Sequence, residues 1–151
     1  MVWGRANRSK ALAEQFVRAL NAHDIAALVK FMSDDFTYID SWREGVAGRD
    51  IIIGALRRLI EQDPGFGIDV ESYHWREPHV LMSGHVKSSL FGSPRAVWQL
   101  TIRDGKVSEY QAWAEGGPPP MTRMLVPDRV TDMAARAYEK PQLGDDQTVD
   151  R

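Results

Sequence analysis

The residue best suited to moving a proton is Asp40, which ends the run DDFTYID at residues 34–40. Side chains alternate between the two faces of a β-strand, so we expect Phe36, Tyr38 and Asp40 to share one face. A carboxyl group among aromatic rings loses solvation, which disfavours its charged form and suits acid-base chemistry near neutral pH. A structural alternative stays open, because an Asp at the end of a strand can also cap the turn that follows it.

His85 is the second candidate for acid-base chemistry, because imidazole titrates near neutral pH. It lies within a predicted strand over residues 79–90. If its side chain points inward, it can serve as the acid or hydrogen-bond donor that partners Asp40. If it points outward, it makes only a structural contact. Both alternatives stay open, because the sequence does not fix the register of this strand.

Aromatic and apolar side chains are expected to form the wall of a pocket around these groups. Such a wall, with hydroxyl and indole donors in it, suits a flat and partly polar ring system. The candidate substrate-binding residues are Phe16, Tyr38, Trp42, Leu56, Trp98 and Tyr110.

Three helices and a set of strands are predicted to position this wall. The helices cover residues 9–22, a short segment capped by Asp24, and residues 49–62, each with apolar residues at helical spacing. After the first strand at residues 34–40, an alternation with period two predicts four more. These later strands cover residues 66–76, 79–90, 95–103 and 106–115, and Asp104-Gly105 forms a hairpin between the last two.

This order of elements predicts an α+β fold. The helices are too few to cover both faces, so they must pack on the concave side of a curved antiparallel sheet, giving a cone that is hollow at its wide end. We expect a flexible N-terminus at residues 1–8, the domain at residues 9–116, and a C-terminal extension at residues 117–151. The extension carries a weak amphipathic helix at 128–138 and is partly disordered from Pro141.

Composition narrows the class of protein further. The chain has 151 residues and a net charge of -2 with scattered basic residues, which argues against nucleic-acid binding. It has no Cys, and its histidines lack a third ligand at a credible spacing, so we expect no metal site. No apolar run suggests a signal peptide or a membrane span, and a cytoplasmic location is the expectation.

Three motifs together resemble one known group of proteins. They are FVRALNAHD at residues 16–24, DDFTYID at residues 34–40 followed by GRDI at 48–51, and IRDGKV at 102–107. Their order and spacing are similar to those of the nuclear transport factor 2-like superfamily, in particular its SnoaL-like and ketosteroid isomerase-like branch. The resemblance covers about residues 9–115 and implies the cone-shaped fold.

The resemblance also implies roles for individual positions. The isomerase's general base falls on Asp40, its oxyanion-binding Tyr falls on Phe16, and its oxyanion-binding acid falls on or next to Trp98. The family's epoxide hydrolases use an Asp-Arg-Asp set, but the final strand at residues 109–115 has no Asp. The implied function is Asp-assisted isomerisation, cyclisation or dehydration of a hydrophobic, possibly cyclic substrate without a cofactor. The alternative is a non-catalytic domain that binds a ligand or only dimerises.

Partners follow from the same considerations. A small hydrophobic molecule is expected in the cone, with neither nucleic acid nor membrane as a partner. Trp113 lies on the face of the last strand opposite to Tyr110 and is expected to form a homodimer through the outer face of the sheet. The tail beyond Pro120 can instead fold back over that face or over the mouth of the pocket.

Overall fold

The computed structural model describes residues 2–143, with side chains from residue 4 onward. Its helices are α1 (Val2–Asn21), α2 (Ile25–Phe31), α3 (Arg49–Gln62) and α4 (Met121–Leu125). Its strands are β1 (Met32–Ile39), β2 (Glu44–Ala47), β3 (Gly67–Arg76), β4 (His79–Lys87), β5 (Arg95–Arg103), β6 (Lys106–Ala114) and β7 (Thr131–Asp132). The α+β cone predicted from the sequence is confirmed.

One curved, unclosed sheet holds all of these strands, in the order β3-β4-β5-β6-β1-β2-β7. Neighbouring strands are antiparallel except β1 and β6, which run parallel. The main core lies between the concave face and helices α1–α3, where Phe36, Trp75 and Trp98 are almost completely buried. The β5–β6 hairpin turns at Asp104 and Gly105, which both have positive φ, as this two-residue turn requires.

The helices agree with the sequence patterns except at the N-terminus. Asp24 caps α2 by accepting a hydrogen bond from the backbone N–H of Ala27 at 3.1 Å. Helix α1 begins at Val2 and not at Ser9, so the segment expected to be flexible is helical. The reason is tertiary contact: Ala6 is completely buried in the core, and Arg5 forms an ion pair with Glu77.

The C-terminal extension differs most from the sequence-based expectation. The predicted helix over residues 128–138 does not form. In its place the structure has α4, a short 3-10 helix at Pro127–Arg129, and β7, which pairs with β2 at the edge of the sheet. Hydrogen bonding to that edge outweighs the modest helix propensity of this segment. Much of the end that was expected to be disordered, residues 144–151, lies outside the described residues.

Residues 133–142 cross the convex face of the sheet, and we call them the C-terminal strap. The Gln111 side chain donates to the backbone carbonyl of Tyr138 at 3.2 Å and accepts from its N–H at 3.1 Å. Arg136 forms an ion pair with Glu109, and Arg76 donates to the carbonyl of Gln142 at 2.8 Å. The strap therefore covers part of the face that was expected to form a dimer.

Trp113 lies on the convex face, as expected, and it is only partly exposed. The homodimer stays a prediction, with a smaller surface left for it beside the strap. No helix within residues 2–143 is long and apolar enough to cross a membrane.

Candidate ligand-binding cavity

A cavity of about 170 Å³ lies inside the cone, between the helices and the concave face of the sheet. None of the residues that line it is charged, and its polar side chains are two tyrosines, one serine and one tryptophan. The residues that line the cavity come from α1, α3, the sheet and the chain after β6. They include Phe16, Tyr38, Ser41, Leu56, Trp98, Tyr110, Met121 and Leu125. Five of the six candidate substrate-binding residues therefore border the same space.

Tyr38 and Tyr110 form the polar centre of this cavity. They are paired across the parallel strands β1 and β6, with ring centroids 5.7 Å apart. Neither hydroxyl has a hydrogen-bond partner within residues 2–143. Burial raises the pKa of both phenols, and for Tyr38 the neighbouring Tyr110 and Asp40 raise the pKa further. Both phenols are therefore neutral near neutral pH and can donate hydrogen bonds.

Phe16 packs directly against this pair. Its ring lies 6.1 Å from that of Tyr110 and stacks on Phe36 with centroids 6.2 Å apart. The resemblance places an oxyanion donor at this helix position, and Phe cannot supply one. The structure brings hydroxyl donors into the cavity from the sheet instead.

Asp40 is 1% exposed, but it does not line the cavity. Its Oδ1 accepts hydrogen bonds from the backbone N–H groups of Trp42 at 2.9 Å and Glu44 at 3.1 Å. Its Oδ2 accepts from the N–H of Thr122, in the first turn of α4, at 3.0 Å. A carboxylate has about four acceptor positions, and three are filled by backbone donors here. The structural alternative considered for this Asp, a cap on the following turn, is therefore present in the fold.

Trp42 and His85 lie outside the cavity lining. Trp42 is 59% exposed, because the turn after β1 carries it away from the core, and its Nε1 donates to the carbonyl of Pro118 at 2.8 Å. His85 lies on the convex face, because its neighbour Val86 points into the cavity. There it pairs with Glu71 at 3.1 Å and contacts Arg95 at 3.3 Å. It is therefore not positioned to partner Asp40.

Sequence reasoning left open that the tail beyond Pro120 folds back over the mouth of the pocket, but it assigned no residue of that segment to the rim. Pro118, Pro119, Met121 and Leu125 border the cavity, although the compact domain was expected to end near residue 116. The apolar residues of the run PPPMTRMLVP at 118–127 were the available signal, because a solvated tail seldom carries so many. Ser41 was also missed, and its hydroxyl is held by the backbone of β6, accepting from Ala114 N–H at 2.9 Å.

The described residues offer no obvious place for a metal. Within residues 2–143, no three His, Asp or Glu side chains are grouped closely enough to hold an ion. The arrangement is instead an apolar chamber with hydroxyl donors, which can hold a small hydrophobic molecule and direct hydrogen bonds at one of its oxygen atoms.

The fold and the cavity are those of a small α+β cone protein, and the sequence identifies the family. The model of the SnoaL-like domain matches residues 13–110, which is more than half of the chain. The protein belongs to the SnoaL-like domain family. No curated protein matches the chain in sequence.

Solved structures share the fold at low sequence identity. A putative SnoaL-like polyketide cyclase from Shewanella denitrificans is 20% identical, with a TM-score of 0.64, over 80% of this chain and 95% of that one. A putative ketosteroid isomerase from Kribbella flavida is 21% identical, with a TM-score of 0.63, over 80% and 89%. An epoxide hydrolase of the LEH-like kind from M. tuberculosis is 16% identical, with a TM-score of 0.64, over 73% and 84%. These similarities support the fold and leave the chemistry to the site.

Proposed function

We propose that this protein binds a small hydrophobic molecule in the cone and that Tyr38 and Tyr110 donate hydrogen bonds to one oxygen atom of that molecule. The observation that carries the proposal is the pair of unpartnered hydroxyls in an uncharged cavity. Both tyrosines are half-buried, and a hydroxyl that a bound molecule covers without offering an acceptor loses its hydrogen bonds to water, at a cost of about 1–3 kcal/mol. A ligand with a carbonyl or another acceptor at this point removes that penalty, so the cavity should prefer it to a purely apolar molecule.

A matched pair of ligands tests this preference. Cyclohexanone and methylenecyclohexane have nearly the same shape, and only the ketone has an oxygen acceptor. Two neutral hydrogen bonds should make the ketone bind about tenfold tighter or more, as measured by NMR titration. In the double variant Tyr38→Phe/Tyr110→Phe this preference should disappear, because no phenol donor is left.

Tyr73→Phe is the control for this experiment, because it removes a phenol hydroxyl outside the cavity lining. It should leave the preference for the ketone unchanged. A preference that survives in the double variant would show that Tyr38 and Tyr110 do not recognise the oxygen. Absence of binding by either ligand would overturn the proposed function itself.

A catalytic form of the proposal retains Asp40 as a base in isomerisation, cyclisation or dehydration. The negative charge of Asp40 contributes to the raised pKa of Tyr38, and Asp40 is separated from Tyr38 by one residue in the chain. In this form the carboxylate takes a proton from the carbon beside the carbonyl, and the two tyrosines stabilise the negative oxygen that results. Its three backbone hydrogen bonds oppose this form, since little acceptor capacity is left.

The same samples decide between binding and catalysis. In D2O, a base beside the ketone would replace the α-hydrogens of cyclohexanone with deuterium, and NMR follows their loss. Exchange that disappears in Asp40→Asn would support the catalytic form. A bound ketone that keeps its α-hydrogens would support binding without proton transfer.

A further inference from the structure

We infer that residues 118–125 are a lid, which Asp40 holds closed over the rim of the cavity and which limits the ligand to about one ring. The inference rests on the proposed function for the ligand, and the position of the lid rests on contacts that need no ligand. Pro118, Pro119, Met121 and Leu125 line the cavity from this segment.

Polar contacts hold the lid to the turn between β1 and β2. Besides the bond from Thr122 N–H to Asp40, the Thr122 hydroxyl donates to the carbonyl of Glu44 at 3.3 Å, and Arg123 pairs with the Glu44 carboxylate at 2.6 Å. The ion pair contributes little, because solvent screens the exposed guanidinium. The buried bond to Asp40 is made by a charged acceptor and is the stronger of these contacts.

The two ends of the lid differ in a way that permits opening. On one side, Gly116 and Gly117 have φ values of 80° and 72°, which glycine adopts without strain. Both are exposed, and a Cβ at either position would meet nothing within 4 Å, so packing does not fix this joint. On the other side, Val126 is buried against Val46 and Ala55. Arg58 also donates to the carbonyl of Leu125 at 2.8 Å, which anchors this far end. Next to the glycine pair, only the exposed hydrogen bond from Trp42 to Pro118 must break for the segment to move.

The volume of the cavity sets the size of the ligand. An apolar protein cavity of about 150 Å³ is known to hold benzene. The present cavity, of about 170 Å³, therefore matches a single ring with small substituents when the lid is closed. We expect a second fused ring to press against the lid side chains, of which Met121 is the flexible one. Met121 is thus expected to determine specificity by size.

Methionines at two positions of α4 provide the test and its control. Met121 lines the cavity, whereas Met124 is 51% exposed and does not. We compare cyclohexanone, with one ring, and 2-decalone, with two, by NMR titration. Met121→Ala should shift the ratio of the two dissociation constants about tenfold or more toward 2-decalone, which is the scale of steric discrimination in an apolar pocket. Met124→Ala should leave the ratio unchanged. Equal ratios in all three proteins would overturn the size limit.

A measurement without ligand tests whether Asp40 holds the lid. The amide hydrogen of Thr122 should be protected from exchange in the free protein. In Asp40→Asn it should exchange about tenfold faster or more, relative to the Ser89 amide that Asp63 holds, because a charge-assisted bond is lost at Thr122 only. An unprotected amide, or equal rates in both proteins, would overturn the role of Asp40 even if both ketones bind. A protected amide together with no binding of either ketone would retain the lid and overturn the proposed function.

Discussion

Tyr38 and Asp40 lie on either side of Ile39, yet they have opposite environments. The Asp40 carboxylate accepts three backbone hydrogen bonds, one of them from a residue 82 positions away. The Tyr38 hydroxyl has no partner within residues 2–143 and faces a neighbouring phenol in the same state. A buried polar group whose bonds are all made by the backbone belongs to the fold. A half-buried hydroxyl that lines a cavity and has no partner in the chain is free to bond an external molecule.

Asp63 supports this distinction. It is completely buried and accepts hydrogen bonds from the hydroxyls of Ser88 and Ser89, each at 2.6 Å, and from the Ser89 backbone N–H at 3.1 Å. These bonds lower the pKa of its carboxyl. Like Asp40, it joins segments that are distant in sequence and lies outside the cavity lining. The fold thus uses buried carboxylates to fix loops, and it keeps the cavity uncharged.

The largest effect on stability should come from replacing Asp40, whose carboxylate accepts three backbone hydrogen bonds. In Asp40→Asn the amide cannot accept at both ends, so at least one backbone N–H loses its partner. We expect the free energy of unfolding, measured by urea denaturation, to fall by about 2–3 kcal/mol. Asp34→Asn makes the same substitution where the side chain is 94% exposed, and it should cost about 1 kcal/mol or less. If the two variants lose the same free energy of unfolding, then the hydrogen bonds to Asp40 do not stabilise the fold.

A smaller effect is expected at the unpartnered hydroxyl. Tyr38→Phe removes a group that the fold does not use, so the unliganded variant should match the wild type in stability within about 0.5 kcal/mol, or exceed it. Thermal unfolding without ligand measures this difference. A loss of more than about 1 kcal/mol would mean that the hydroxyl has a partner in the folded chain.

The smallest effect concerns Glu109, a buried carboxylate with an ion-pair partner in the C-terminal strap. Burial raises the pKa of Glu109, although the pairing with Arg136 acts in the opposite direction. Between the ordinary value of 4.5 and the raised pKa, the folded state holds more protons than the unfolded chain. Stability should therefore fall as the pH rises through this window, with a slope below about 1.4 kcal/mol per pH unit.

Glu109→Gln separates this contribution from the other carboxylates. As the pH rises just above 4.5, we expect the wild type to lose more stability, or gain less, than the variant, as measured by urea denaturation. If both proteins gain stability equally as the pH rises through that window, then the charge of Arg136 outweighs the burial of Glu109, and the pKa of Glu109 is not raised in the folded state.

Local sequence patterns were sufficient for much of the scaffold and for most of the cavity wall. The bounds of α3, the Asp24 cap and the Asp104-Gly105 turn depend on neighbours within a few residues, and each formed as predicted. Alternation along the strands likewise placed Tyr38, Trp98 and Tyr110 on the inner face. These features follow from the backbone period, which every side chain in an element shares.

Tertiary structure alone decided which polar groups have hydrogen-bond partners within the chain. Alternation along β4 places His85 on one of the two faces of the strand. Only the pairing of β4 with its neighbours shows that this face is the convex one. The most distant donor to Asp40, the N–H of Thr122, belongs to α4. The strap covers the convex face through contacts with Gln111 and Glu109. A hydrogen-bond acceptor takes whichever donor the folded chain brings near it, and no local pattern specifies a donor from a distant segment. The sequence therefore determined the walls of the cavity, and long-range contacts determined which of its polar groups remain free for a ligand.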